Sequence, residues 1–225
     1  MNAPAAPEMP SPVRLIATLG LIAMLSGFVI VLIHEVTLAP IARNHLQALE
    51  SAVQQVLPGT ETQVGLALQD EQLQALGPDE LDRADLFAGF AADGSLVGIA
   101  LTGITRGYAG DIRVLFGYSP ATQQIIGFRV LQSSETPGLG DKIEKDPRFL
   151  ANFAALDVRL TAAGDALAHP VVAVSEGAKQ NPWEIDGITG ATVSSAAVAR
   201  AIRESAERWI PLIFAQQDQI AEVKP

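Results

Sequence analysis

The chain opens on an apolar stretch. After a Pro- and Ala-rich start, residues 15–33 read LIATLGLIAMLSGFVIVLI and carry no charge. Roughly 19 residues make a helix of about 28 Å, which matches the hydrocarbon core of a bilayer. A cleaved signal peptide has a shorter apolar region followed by a small-residue cleavage site. Here His34-Glu35-Val36 follows instead. The pattern predicts a retained transmembrane helix over 14–36, preceded by a disordered tail over 1–13. Arg14 lies before the span, and Glu35, Arg43 and an acidic bulk lie after it. The positive-inside rule then puts the tail in the cytoplasm, on one arginine, and the bulk on the periplasmic side of a bacterial inner membrane.

Over 37–58 the pattern stays helical. Leu46, Leu49, Val53 and Val56 recur at helical spacing and Pro58-Gly59 ends the run, which reads as a stalk helix. Residues 60–85 have no clear period, with a short helix expected over 69–75 and a breaker at Gly77-Pro78. Strand patterns follow over 86–91, 96–101, 112–118 and 125–131, with Asp93-Gly94 and Ser119-Pro120 among the turns. Strands so closely spaced predict an antiparallel sheet with helices packed on it, an α+β fold. A helix is expected over 147–153. A longer one runs from Ala196 towards Phe214, with Val198, Ala201, Ile202, Ser205 and Trp209 on one face and Arg200, Arg203 and Glu204 on another. Pro211 is expected to bend or end it, and 216–225 reads as a polar tail.

Composition narrows the function. The 225 residues carry a net charge of −10 and no cysteine. An acidic chain lacks the basic footprint of a nucleic-acid binder. Without cysteine there is no disulfide, thiolate or Cys-ligated iron–sulfur chemistry. His34, His45 and His169 have no metal-ligand spacing, so no metal site is expected.

Two short runs carry candidate chemistry. Asp186-Gly187-Ile188-Thr189-Gly190-Ala191-Thr192-Val193-Ser194-Ser195 precedes the last long helix. Gly190 and Ala191 leave room for close approach, Thr192 offers a hydroxyl, and a helix start offers free N–H groups and a positive dipole end to a phosphate. Read from the residues alone, a plain Ser/Thr cap after a Gly turn is the commoner arrangement. Glu135-Thr136-Pro137-Gly138-Leu139-Gly140-Asp141-Lys142-Ile143 combines a rigid Pro with two glycines and one apolar side chain. By composition alone it is an ordinary strand-to-helix turn.

Together the two runs resemble a known family. Asp186-x-x-Thr189-Gly190-Ala191-Thr192 is similar to the signature of covalently flavinylated FMN-binding domains. Residues 135–140 resemble the ETPGLG motif of the G subunit of the Rnf (Rsx) electron transport complex and of its relative, the C subunit of the sodium-pumping NADH:quinone oxidoreductase. The continuation Asp141-Lys142-Ile143 and the shorter chain look more like the Rnf protein. Gly107-Tyr108-Ala109-Gly110-Asp111-Ile112 and the single N-terminal span extend the likeness. Ser133-Ser134 stand where family members often have His-Lys, and Thr189 stands where Ser is also common.

The resemblance implies an extracytoplasmic FMN-binding domain over 59–215. FMN would be joined by a phosphoester to Thr192, with its phosphate near the N–H groups of Val193, Ser194 and Ser195 and beside Thr189, Gly190 and Ala191. Glu135, Thr136, Pro137, Gly138, Leu139 and Gly140 would line the ring or ribityl side. Thr136 would donate a hydrogen bond, Leu139 would form an apolar wall, and Lys142 would add positive charge. Asp186 would hold the loop or be read by the flavin transferase that installs FMN. Trp183 would either stack on the ring or pack in the core, the second being adopted, and Glu184 would be a solvated charge. No residue need act as acid, base or nucleophile, so no catalytic side chain is assigned. The implied role is an electron carrier within an Rnf-type complex that couples ferredoxin/NAD electron transfer to ion movement. Its partners would be other membrane and redox subunits, the flavin transferase and membrane lipid, with no nucleic acid. Two alternatives stand beside it: a stand-alone flavinylated domain serving another reductase, and a non-redox anchored scaffold whose turn merely caps a helix.

Overall fold

The computed structural model describes residues 11–223, with the side chains of 38–49, 78–79 and 82 outside that description. The chain divides into two compact units, Met1–Gln47 and Ala48–Pro225. The expected tail therefore lies almost wholly outside the described residues. Helix α1 is already under way at Pro12 and spans Pro12–Val56. Within the first unit, Pro12–Thr37 is long and apolar enough to cross a membrane, and its apolar side chains are exposed in the isolated chain. In the expected stalk, Leu46 and Leu49 fall outside the described side chains, whereas Val53 and Val56 are buried in the second unit.

The second unit is a seven-stranded sheet in the order β2-β1-β3-β4-β5-β6-β7, antiparallel at every pairing. The strands are β1 (Thr62–Gln69), β2 (Gln72–Ala75), β3 (Leu86–Phe90), β4 (Leu96–Arg106), β5 (Asp111–Ser119), β6 (Gln124–Gln132) and β7 (Leu156–Asp157). Short helix α2 (Pro147–Ala151) follows the 135–145 loop. Strands β8 (Val172–Val174) and β9 (Glu184–Asp186) form a separate parallel pair. Helix α3 (Thr192–Ala215) lies against β4 and β5, and α4 (Gln217–Glu222) ends the described chain.

Strand alternation sends side chains to two different cores. From β5, Ile112, Val114, Phe116 and Tyr118 enter the core beneath α3, together with Leu86, Phe90, Ile99 and Leu101. Leu115, Ala100 and Phe87 point the other way and pack on Ala52, Val53, Val56 and Leu57 at the end of α1. Both faces of the sheet are thus covered by helix.

The second cover sits on a floor of glycines. Gly89 pairs with Gly98 across β3 and β4, and Gly117 pairs with Gly127 across β5 and β6. A methyl group on Gly89 or Gly98 would stand 2.9 or 2.8 Å from a Leu57 methyl. On Gly117 or Gly127 it would stand 2.9 or 2.7 Å from the Val56 carbonyl carbon. Only strands without side chains there let the last turn of α1 settle directly onto the sheet.

Four expectations are corrected. The short helix over 69–75 is instead the β1–β2 hairpin. Its turn holds Asp70 and Glu71 at φ of 49° and 64°, the left-handed region, without the Gly or Asn that usually marks such turns. The last long helix starts at Thr192, four residues before Ala196. Pro211 does not end it, since the helix runs on to Ala215. Residues 216–225 are not merely a tail: α4 buries Ile220, and the Gln216 side chain caps the β1–β2 hairpin by accepting from Leu73 N (2.8 Å) and donating to the Glu71 carbonyl (2.9 Å).

Candidate functional site

The start of α3 is an open helix end. Its N-cap is Ala191, and no side chain caps the first turn. The Ser/Thr-cap reading is therefore not what forms. The turn before it is closed by Ala191 N donating to the Ile188 carbonyl (3.0 Å), with Gly190 at φ 84°. That dihedral is strained for any residue carrying a Cβ. Ser195 N makes the first helical bond, to the Ala191 carbonyl (2.9 Å). It is thus not free for an anion, contrary to expectation. The N–H groups of Thr192, Val193 and Ser194 precede that bond and find no protein acceptor among the described residues. Thr189, Gly190, Thr192 and Val193 are exposed, so hydroxyl and donors face solvent together.

The two serines do other work. Both are buried. The Ser195 hydroxyl accepts from Ile188 N (3.2 Å) and ties the turn to the helix. The Ser194 hydroxyl donates a short hydrogen bond to Oε2 of Glu135. Both hydroxyls point into the protein rather than towards the open end.

Glu135 is the joint of the site. Its side chain is 7 % exposed. Oε2 holds Ser194 and Oε1 accepts from Ala109 N (3.0 Å) in the loop between β4 and β5. Burial pushes the carboxyl up. Hydrogen bonds from the Ser194 hydroxyl and the backbone of Ala109, Gly110 and Tyr108 outweigh that and hold it below the usual carboxylate range. It therefore stays ionised, beneath the positive end of α3, and is too enclosed by protein donors to line a ring.

From Glu135 the loop turns over the helix end. Leu139 N donates to the Thr136 carbonyl (3.1 Å), and Gly138, at φ 80°, donates from its N–H to Asp141 Oδ1 (2.7 Å). A methyl on Gly140 would stand 2.8 Å from Glu135 Cβ and 2.9 Å from Ser194 Oγ, so this position must stay bare for the loop to close. A Cβ on Gly190 would meet Leu139 Cδ2 at 3.9 Å, which places the Leu139 side chain over the Thr189–Gly190 turn. Thr136, Pro137 and Leu139 are exposed around the same opening.

Residues that no local pattern marks complete the frame. Glu176 accepts from Thr189 N (3.0 Å) and pairs with Arg148 at 3.3 Å. Hydrogen bonding from Thr189, then the charges of Arg148 and Lys142, hold its carboxyl below the usual range. Buried Asn152 clasps β9: its amide nitrogen donates to the Asp186 carbonyl (3.1 Å) and its oxygen accepts from Asp186 N (3.0 Å). The Asp186 carboxylate accepts from Gly177 N (2.7 Å), so it holds a loop, one of the two roles open to it. Trp183 is not packed in the core as adopted. It is half-buried and stacks on His169, with ring centroids 3.7 Å apart and 14° between planes. Glu184 is engaged rather than merely solvated, accepting from Gln180 N and Asn181 N. Asn152 and Glu176 escape sequence reading because their partners lie 34 and 13 residues away.

An open helix start with a bare hydroxyl, roofed by a glycine loop, suits the phosphate of a nucleotide, and the exposed apolar rim suits a flat ring above it. Comparison with known proteins gives this class its name: residues 107–207 match the family described as the FMN-binding domain. Over most of its length the chain is similar to the G subunit of the Na(+)-translocating ferredoxin:NAD(+) oxidoreductase complex of Acetobacterium woodii, 31% identical over 193 residues, covering 83% of this chain and 86% of that one. It is 40% identical over 101 residues to the G subunit of the ion-translocating oxidoreductase complex of Pasteurella multocida, covering 44% of this chain and 45% of that relative. The match thus spans less than half of the second relative and most of the first. Among solved structures, the fold is similar to the C subunit of the Na(+)-translocating NADH-quinone reductase of Parabacteroides distasonis, with a TM-score of 0.55 at 17% identity over 81% of this chain and 98% of that one. NqrC of Shewanella oneidensis matches at 0.52 and 19% identity over 75% and 87%. The chain belongs to the family of G subunits of ion-translocating oxidoreductase complexes, and its domain is an FMN-binding domain.

Proposed function

We propose that this chain is a membrane-anchored electron carrier that holds FMN covalently, through a phosphoester on the Thr192 hydroxyl. The observation that carries the reading is the uncapped first turn of α3. There an exposed threonine hydroxyl stands beside three free N–H groups and directly next to the 135–140 loop. Free donors and the helix dipole favour a phosphate at that hydroxyl. Once bound, the flavin accepts and gives up electrons, and an ester through its phosphate leaves the ring untouched. The protein's part is to fix the group and shape its surroundings. Glu135 locks the helix end to the two loops, Asn152 and Glu176 hold the turn before it, and Leu139 overhangs the turn.

The anchor is the Pro12–Thr37 helix, with the domain on the periplasmic side of a bacterial inner membrane. In that setting a covalent link keeps the cofactor from diffusing away. Kinship with the G subunits of such complexes supports a place within an Rnf-type complex. There the chain would relay electrons among membrane-bound redox subunits while the whole couples ferredoxin/NAD electron transfer to ion translocation. Maturation then needs a flavin transferase.

Mass spectrometry of protein made together with its transferase tests the reading. One FMN is expected on wild type and none on Thr192→Ala or Thr192→Val. The denatured wild-type band is expected to fluoresce under ultraviolet light. An unmodified mass in native membranes would remove the proposal.

A further inference from the structure

Tyr108 is 74 % exposed, an unusual position for a large aromatic side chain. Its side chain makes no hydrogen bond or ring contact among the described residues. Yet its backbone is fixed. The link between β4 and β5 is closed by Gly107 N donating to the Gly110 carbonyl (2.8 Å), and Ala109 N donates to Glu135. A methyl on Gly110 would stand 2.8 Å from Ser134 Cβ, so the link lies close against the segment leading from β6 to Glu135. The other oxygen of that carboxylate holds Ser194, two residues after Thr192. The residue after Tyr108 is therefore bonded to a carboxylate that is itself bonded to the first turn of α3.

The distribution of exposed apolar side chains points the same way. Beyond α1, the large ones among the described residues are Ile104, Tyr108, Leu139, Val193 and Phe214. Three of these five border the Glu135–Ser194 joint: Tyr108 on the β4–β5 link, Leu139 on the glycine loop and Val193 beside Thr192. Scattered surface apolar residues need no explanation, but three from separate segments gathered around one buried joint do.

We propose that Tyr108 is a flavin-positioning residue, its ring covering one face of the isoalloxazine held at Thr192, with Leu139 and Val193 as the apolar border. This rests on the reading of Thr192 as the attachment site. A flat aromatic ligand gains most from an offset-stacked ring, and a tyrosine on a fixed backbone has only two side-chain torsions to order.

Aromatic contact quenches flavin fluorescence, which gives a readout separate from electron transfer. Full-length protein, flavinylated in cells and purified in detergent, is compared as wild type, Tyr108→Leu and Tyr108→Trp, with native fluorescence expressed per covalently bound flavin. A several-fold rise is expected in Tyr108→Leu, continued quenching in Tyr108→Trp, and equal emission from all three after denaturation. Equal native emission from Tyr108→Leu and wild type would overturn the proposal while leaving the attachment site standing. Wild type without covalent flavin would instead remove the reading beneath it.

Discussion

The domain contains two helix ends that could hardly be treated more differently. The last turn of α1 is sealed: Val56 and Leu57 are fully buried and lie on the backbone of four strands through Gly89, Gly98, Gly117 and Gly127. The first turn of α3 is open: Thr192 and Val193 are exposed, no side chain caps them, and the adjoining Glu135–Ser194 pair is buried only to hold the opening in shape. Both ends rely on bare glycine positions, but for opposite purposes. At α1 they admit the protein's own backbone. At α3 they keep a loop clear of a hydroxyl. Substitutions should therefore divide by place, with stability lost at the sealed end and cofactor lost at the open one.

The largest effect is expected at the floor. Gly117→Ala or Gly127→Ala puts a methyl within 3 Å of main-chain atoms of Val56, which cannot swing aside as a side-chain tip would. Overpacking of this kind costs about 3 kcal/mol or more. Thermal unfolding of the full-length protein in detergent should show a fall in Tm of many degrees. A change of a degree or two would mean that α1 does not rest on the sheet as described.

Next comes the frame of the open end. Glu135→Ala strands the buried Ser194 hydroxyl and frees the N–H of exposed Ala109, at a cost of about 2 kcal/mol. Glu135→Gln keeps the shape but loses the charge-assisted bonds, at about 1 kcal/mol. The pH dependence has a definite sign. The folded carboxyl titrates below its unfolded value, so its contribution is fully present above the unfolded pKa of about 4.3 and is lost as pH falls through the lower folded one. The stability gap between wild type and Glu135→Gln should be constant at neutral pH and close in the acid range. A gap that widens on acidification would contradict the Ser194 and Ala109 bonds.

The same contrast explains what the sequence reveals. Strands β3 to β6 announce themselves by alternation and by turn residues such as Asp93-Gly94, and the apolar span by its length. By composition alone both motif runs read as ordinary turns, and only their resemblance to a known family supplies the chemistry. Contacts made at long range leave no local trace. Glu135 reads as a loop carboxylate until Ser194, 59 residues later, meets it. The four floor glycines look like four unrelated strand interruptions until register pairs them. The β1–β2 hairpin hides because Asp70 and Glu71 form its turn without the usual residues. Ile220 stands in a largely polar run with only Ala221 and Val223 as apolar company, and only packing tells that it is buried.

The smallest change in stability is expected where the functional claim is strongest. Thr192 is exposed at the first position of α3, and no hydrogen bond from its hydroxyl supports the protein among the described residues. Thr192→Ala removes a β-branched residue from a helix and should leave unflavinylated protein within about 0.5 kcal/mol of wild type, with any shift towards greater stability. Thermal unfolding of the two proteins made without the transferase is the direct comparison. A large loss would mean that the hydroxyl is a cap holding the turn, and the open helix end would then be a structural device like the sealed one.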